Sequence, residues 1–380
     1  MHILIAPNAF KNSLDATKAA EAISSGLHKS KLSCSTTMFP VADGGDGTAG
    51  LLIDHLNAEY VAATVADPLG RKINSSFGWS EPDKTAIIEL AAASGLRLLK
   101  TAEFDPLKTS TIGTGELIKE AFNKNAKKII LCIGGSATVD GGVGILEAIG
   151  VKFLDKYKNV LANLPESLRS LDSIDLSEVD KRVFQTGIII LCDVENPLLG
   201  INGAARVFGP QKGASEKDIE LLEARLETFS KVVMSATGID ISVIKHGGAA
   251  GGAASGLYGL LNADLKNGID QFLEITGFDK ELKNADMVIT GEGSIDSQTL
   301  QGKGPFGVAR KAKEFSLPVI GFAGVVPGVM SESLKKYFDE LISINQEFIN
   351  IDEAIRNTYR NLEKAAKDFG DKLFSSTVQN

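Results

Sequence analysis

The pattern that most limits what this chain can fold into is an alternation of short apolar runs with helical spacings at both ends. It is interrupted in the middle by three apolar runs in close succession. "HILIAPN" at the start reads as a short strand. "LDATKAAEAISSGL" after Ser13 places apolar residues at helical spacing, with Gly26 as a stop signal. "STTMFPVAD" reads as a second strand and "GTAGLLIDHL" as a second helix. This β-α-β-α order opens a parallel sheet. It returns from about residue 285 as "ADMVITG", "VARKAKEF", "LPVIGFAGV" and "ELISIN", and "DEAIRNTYRNLEKAAKDFGDKL" closes the chain as a helix.

Between these ends, "YVAATVA", "KINSSFGW" and "TAIIELAA" leave no room for helices, and "DPLGR" at 67–71 puts Pro68 and Gly70 in turn positions. This predicts an antiparallel meander. It is followed by the strands "KKIILCIGG" and "GIIILCDVEN", the helices "TGELIKEAFNKN" and "EKDIELLEARLETFSKVVM", and a Gly/Ala-rich "HGGAAGGAASGLYGLL". The expected fold class is α/β. A parallel Rossmann-like (flavodoxin-like) domain is formed by 1–59 and 281–380, and a second α/β domain with a mixed sheet, 60–280, is inserted into it. The active site is expected in the cleft between the two, and two consecutive domains is the alternative arrangement.

The 380 residues suit two domains. With 40 basic against 48 acidic residues and a net charge of −8, neither a nucleic-acid partner nor an anionic membrane is expected. "MHILIAPNAF" has no charged start or long apolar run, and Cys34, Cys132 and Cys192 each lie in an apolar run as buried thiols of a reducing compartment. A cytoplasmic enzyme, monomeric or homodimeric, is the expectation. Glycine is the outlier, at 39 residues in clusters between apolar runs, where backbone must approach a ligand closely.

Ligands of open α/β sheets collect outside the carboxyl ends of the strands. Asn8, Lys11 and Ser13 follow the first strand, and Asp43, Asp46 and Thr48 the second. "GGSATVDGG" follows "KKIILCI"; Asp193, Glu195 and Asn196 follow "GIIILC". The stretch "GEGSIDSQTLQGKGP" at 291–305 follows "ADMVIT", a long, bare, charged loop carrying Glu292, Ser294, Asp296, Gln298 and Lys303. "GDGTAG" at 45–50 matches a dinucleotide fingerprint, but it follows the second strand and is flanked by Asp43 and Asp46, so a glycine turn with a helix cap is preferred. "IGGSATVDGGVG" at 133–144 and "TSTIGTGE" at 109–116 read as phosphate cradles at helix starts, or alternatively as tight turns and caps. No Walker lysine motif, paired histidines or G-x-S-x-G nucleophile occurs. Cations near these loops are Lys11, Arg71, Arg206, Lys212 and Lys303, of which Lys11 and Lys303 fall in polar strand-end loops.

Taken in order, "IAPNAFKNSLDATKAAEAI", "PVADGGDGT", "DPLGR", "ELAAASGL", "TSTIGTGELI", "IGGSATVDGGVG", "CDVENPL", "ARVFGPQKGA" and "GEGSIDSQTLQGKGP" resemble the bacterial glycerate kinases that phosphorylate the 2-hydroxyl of D-glycerate. Asn12 stands where the resemblance leads one to expect glycine, and Asp46 where it leads one to expect glutamate. The resemblance implies ATP, Mg²⁺, D-glycerate as substrate and 2-phosphoglycerate as product. Given that reaction, Gly113, Thr114 and Gly115 with Gly134, Gly135, Ser136 and Thr138 are expected to cradle the ATP phosphates, and Asp193 and Asp296 to hold magnesium. Lys11 is expected to neutralise the moving phosphoryl group, and Asp43 to position or deprotonate the hydroxyl. Asn8 and either Arg71 or Lys303 are expected to bind the substrate, with Asp193 counted as catalytic through its metal. A kinase forming 3-phosphoglycerate, one acting on a related hydroxy acid, and a non-catalytic metabolite sensor are the alternatives.

Overall fold

The computed structural model describes residues 1–300, 302–345 and 350–378, except for the side chains of Gln298, Ile351, Thr377 and Val378. Strands β1 (His2–Ile5) and β2 (Ser35–Met38) come first, and β3 (Glu59–Ala66), β4 (Lys72–Ser80) and β5 (Thr85–Glu89) follow closely. Next are β6 (Lys128–Cys132), β7 (Lys152–Leu154), β8 (Ser173–Asp175), β9 (Gly187–Cys192) and β10 (Asp264–Asn267). Strands β11 (Met287–Ser294), β12 (Val319–Val325) and β13 (Glu340–Ser343) end the series. The chain divides into two compact units: residues 1–43 with 269–380, and residues 44–268.

The first unit holds a five-stranded sheet in the order β13-β12-β11-β1-β2, parallel throughout. Counted within the unit, that is the 2-1-3-4-5 order of the flavodoxin-like class. Ile3, Ile5, Ile289 and Phe322 form its core with Ile23 and Leu27 from the helix Ala16–His28 and Leu362 and Phe369 from the helix Thr358–Val378. Asp15 caps the first of these helices by accepting from Lys18 N at 2.8 Å. Gly26, read from sequence as a stop, lies inside the helix. It lets the second helix approach so closely that a Cβ there would meet Glu363 O at 2.2 Å. The tail, expected as one helix, is two: Ile351–Arg356 and Thr358–Val378. Strand β2 stops at Met38, short of the predicted run through Asp43, where Pro40 has no N–H for the ladder.

The second unit holds a six-stranded sheet in the order β10-β9-β6-β5-β4-β3. Strands β10, β9, β6 and β5 run parallel, while β5-β4-β3 is the antiparallel meander read from the sequence. Its turn closes with Gly70 N donating to Asp67 O at 2.9 Å, and Gly70 adopts φ 81. A small antiparallel pair, β7 with β8, was not foreseen. The helix Thr48–His55, grouped by its sequence order with the first unit, packs in the second. Its Ile53 leaves no room for a side chain at Gly78 of β4 (2.3 Å to Cγ1), and its Ala49 N donates to Glu89. At the other junction Ile269 abuts Gly307, and Phe278 stacks on Phe39 with centroids 5.0 Å apart, so both join the first unit. No helix among the described residues is long and apolar enough to cross a membrane.

Candidate active site

In the first sheet the chain steps from β1 to β2 on one side and from β11 to β12 and β13 on the other. The order reverses between β1 and β11, and a crevice at their carboxyl ends is where such sheets hold ligands. Asn8 leaves β1 there. Its N–H donates to Gly291 O at 2.8 Å, its Nδ2 donates to Asp43 Oδ2 at 3.0 Å, and Ala9 N donates to its Oδ1 at 2.8 Å. Gly304, the first residue of the helix Gly304–Glu314, lies so close that a Cβ would stand 2.7 Å from Asn8 Nδ2. Asn8 is thus fixed on every side and in turn fixes Asp43.

The expected loop at 291–305 is shorter than the sequence suggests. Strand β11 continues to Ser294, pairing Glu292 with Ala323 and Ser294 with Val325, and a 3₁₀ turn covers Ser297–Leu300. Glu292 is therefore a strand residue, 7% exposed, and its Oε1 accepts from Thr299 Oγ1 at 3.3 Å. Burial pushes its carboxyl up to about 7. The nearby Lys303 opposes the shift, Asp43 adds to it, and Thr299 and Lys11 oppose it more weakly. Asp43, Glu292, Lys11 and Lys303 thus form one electrostatic cluster; of these, the sequence offers Glu292 as a candidate without a role. Asp296 begins the 3₁₀ turn: its N–H donates to Thr299 Oγ1 at 3.1 Å, its O accepts from Thr299 N at 3.1 Å, and Ser294 Oγ lies 3.5 Å from its Oδ2. The side chain of Gln298 and all of Gln301, both in this stretch, lie outside the described residues.

In the second unit the carboxyl ends of β5, β6 and β9 carry Glu89, the 134–138 turn and Asp193, and the 44–47 turn packs among them. A Cβ at Gly134 would lie 2.2 Å from Gly45 C, and one at Gly44 3.1 Å from Leu191 C. Lys212, one of the five cations near these loops in the sequence, is 2% exposed. Its Nζ donates to Ser136 Oγ and to Thr138 O, both at 2.7 Å. Burial pushes its ammonium down to about 7 against the pull of Asp140. Glu89 is buried, receives Ala49 N at 2.9 Å, and is pushed up to about 8 by burial. Asp193 is exposed at the end of β9.

Asp140 joins the two segments read as phosphate cradles. Fully buried, it accepts from Thr111 N (2.9 Å), Thr111 Oγ1 (2.7 Å), Gly142 N (3.0 Å) and Gly144 N (3.4 Å). Burial pushes its carboxyl up, and these four bonds oppose the shift. The amides at that helix start therefore serve a carboxylate of the chain itself. Gly113, Thr114 and Gly115 are buried within the helix Ile112–Asn123. A Cβ at Gly113 would be 1.9 Å from Ala66 O and one at Gly115 2.6 Å from Ala148 Cβ, while Thr114 Oγ1 bonds Ser94 Oγ at 2.8 Å. All three are closely packed. Arg71 is likewise committed, with Nε to Asp67 Oδ2 at 2.5 Å and Nη1 to Glu103 Oε1 at 2.7 Å, clasping the β3–β4 turn. Among the described residues no group of three or more His, Cys, Asp or Glu side chains is placed to hold a metal. A hollow of about 550 Å³ beside β13 and the helix Thr358–Val378 contains none of the residues singled out from the sequence.

A model of the glycerate kinase family matches residues 3–373. The chain belongs to the glycerate kinase family. It is 41% identical to the protein of Escherichia coli (strain K12) named glycerate 2-kinase and 41% identical to the glycerate kinase of Bacillus subtilis (strain 168), over 98% of each chain in both cases. The crystal structure named for a glycerate kinase 2 of Salmonella typhimurium LT2 superposes with a TM-score of 0.85 at 39% identity, covering 99% of both chains. The protein is accordingly a phosphotransferase with glycerate kinase activity, and the use of ATP follows from that. The two residues that depart from the expected family pattern both fit. Asn12 has φ 63, the left-handed region that glycine and asparagine enter most easily, and Asp46 pairs with Arg97 at 3.1 Å.

Proposed function

We propose that this glycerate kinase transfers the γ-phosphoryl group of ATP, with Mg²⁺, to the 2-hydroxyl of D-glycerate. The observation that carries the reading is the convergence of Asn8, Asp43, Lys11, Lys303 and Glu292 at the reversal point of the first sheet. A small hydroxy acid needs a cation for its carboxylate and an acceptor for its hydroxyl, and this cluster offers both. Lys303 binds the substrate carboxylate, Asn8 and Asp43 orient the hydroxyl, and Lys11, exposed beside the cluster, offsets charge on the transferred group. Arg71 keeps its place in the turn clasp.

For the nucleotide, the turn at Gly134, Gly135, Ser136 and Thr138 is the proposed phosphate cradle, held from below by Lys212. Asp193 is the proposed magnesium carboxylate of the second unit and Asp296 that of the first. Both are oxygen donors at strand ends, and a hard cation that takes most of its ligands from phosphate and water needs no more than one or two carboxylates. Bound there, the ion would offset phosphate charge. The name of the Escherichia coli relative, glycerate 2-kinase, supports the 2-position. ³¹P NMR of the protein with ATP, Mg²⁺ and D-glycerate tests it: a 2-phosphoglycerate resonance is expected, and a 3-phosphoglycerate resonance would move the attack to the other hydroxyl.

A further inference from the structure

The cluster at the reversal point contains two carboxylates in different settings. Asp43 is half-buried and held by a bond from Asn8 Nδ2 at 3.0 Å. Glu292 is 7% exposed, and Thr299 Oγ1 meets it at a long 3.3 Å. Its strand pairing through β12 fixes its backbone, and the close approach of Gly291 to Phe322 O (2.3 Å for a Cβ) leaves that backbone no freedom to shift. Two carboxylates held in different surroundings can take different roles, one orienting the substrate and one exchanging its proton.

We propose that Glu292 is the general base of the transfer, and that Asp43 is the orienting carboxylate beside it. This rests on the reading of the reaction given above. As the glycerate oxygen bonds to the γ-phosphorus, the bond from that phosphorus to the bridging oxygen breaks and ADP leaves with the electron pair. The hydroxyl proton passes to the Glu292 carboxylate. A base works best when it titrates close to the working pH, and burial brings Glu292 to about 7, where Asp43 and the ammonium groups of Lys303 and Lys11 also act on it. The aspartate supplies the neighbouring negative charge that keeps Glu292 basic.

The test is kcat against pH from 5.5 to 9 for the wild type, E292Q and D43N, with the product followed by ³¹P NMR. The wild-type kcat is expected to rise through an acid limb near pH 7. E292Q is expected to lose about 10²–10⁴-fold in kcat and to lose the limb, with KM for glycerate within a few-fold. D43N is expected to keep the limb but move it to lower pH, because a negative neighbour is gone. This second readout stands even if E292Q folds poorly. An E292Q rate within threefold of wild type, an unchanged limb in E292Q, or a limb lost in D43N would overturn the assignment. A wild-type enzyme that forms no phosphoglycerate would instead sink the reading of the reaction, and the assignment with it.

Discussion

Lys212 gives the sharpest physical test of the second unit. Among the described residues its buried ammonium group has Ser136 Oγ and Thr138 O as acceptors, with Asp140 nearby. Its pKa falls from 10.5 to about 7. The folded state therefore binds fewer protons than the unfolded chain between those values, and stability rises with pH across that window. From pH 7 to pH 9 the unfolded lysine stays charged while the folded one goes from half-protonated to neutral, a gain of about 2 kcal/mol at 1.36 kcal/mol per pH unit. K212M removes the titrating group and keeps the length of the side chain. Other groups titrating in this range cancel in the difference between the two proteins.

The wild type minus K212M stability difference should therefore widen by about 2 kcal/mol between pH 7 and pH 9. At any pH, K212M also strands two acceptors, at roughly 1–3 kcal/mol each. The assay is urea unfolding followed by fluorescence of Trp79, the single tryptophan of the chain, 4% exposed on β4 in the second unit. Because Lys212 tethers the 134–138 turn, KM for ATP should rise at least tenfold while KM for glycerate changes little. A stability difference constant within about 0.5 kcal/mol across the two pH values would show that Lys212 keeps an ordinary pKa, and the argument from burial would fail.

G134A should disable the same turn, because its Cβ would stand 2.2 Å from backbone at Gly45, which cannot give way as a side chain would; a raised KM for ATP and a lower urea midpoint by Trp79 fluorescence are expected. D140N should destabilise the second unit by about 2–4 kcal/mol, since an amide presents a donor where four donors already point, and the same urea assay reads it. R71A should leave KM for glycerate within twofold while K303M raises it at least tenfold, and the reverse result would return Arg71 to the substrate. E292Q should be more stable than wild type at pH 8 but not at pH 4. A carboxyl raised from 4.5 to about 7 contributes fully below 4.5 and loses that contribution as pH rises through 7, which calorimetry at the two pH values would detect.

The first sheet was legible because its strands are short apolar runs separated by helical spacing at both ends of the chain, although its strand order was not. The meander was legible from Pro68 and Gly70 in a turn between two β-patterned runs. The unit boundary was not. The helix Thr48–His55 follows β2 in sequence, but its apolar face is complementary to Gly78, whose missing side chain makes the groove that Ile53 fills. Gly26 is not a helix stop for the same reason, since it lies under the crossing helix Thr358–Val378. A glycine at a helix stop, at a phosphate, or under a crossing backbone looks the same in sequence, and only the neighbour tells them apart.

Proximity among the candidate residues was legible wherever it follows from position in the chain. Asn8, Asp43 and Lys303 stand at strand ends, and the sheet brings them together. Glu292 and Lys212 were harder, because what matters about them is burial. In sequence a glutamate after "VITG" and a lysine after "GPQ" are charged residues with ordinary acidities. Folding places one in the sheet and the other beneath a glycine turn, and both move to about 7 from opposite directions. A carboxylate raised and an ammonium lowered to that value exchange protons most readily near neutral pH. Both are held in place by backbone that the glycines at 134, 291 and 304 allow to pack closely. Burial at the strand ends is the shared cause: it removes the water that would otherwise restore each group to its ordinary value.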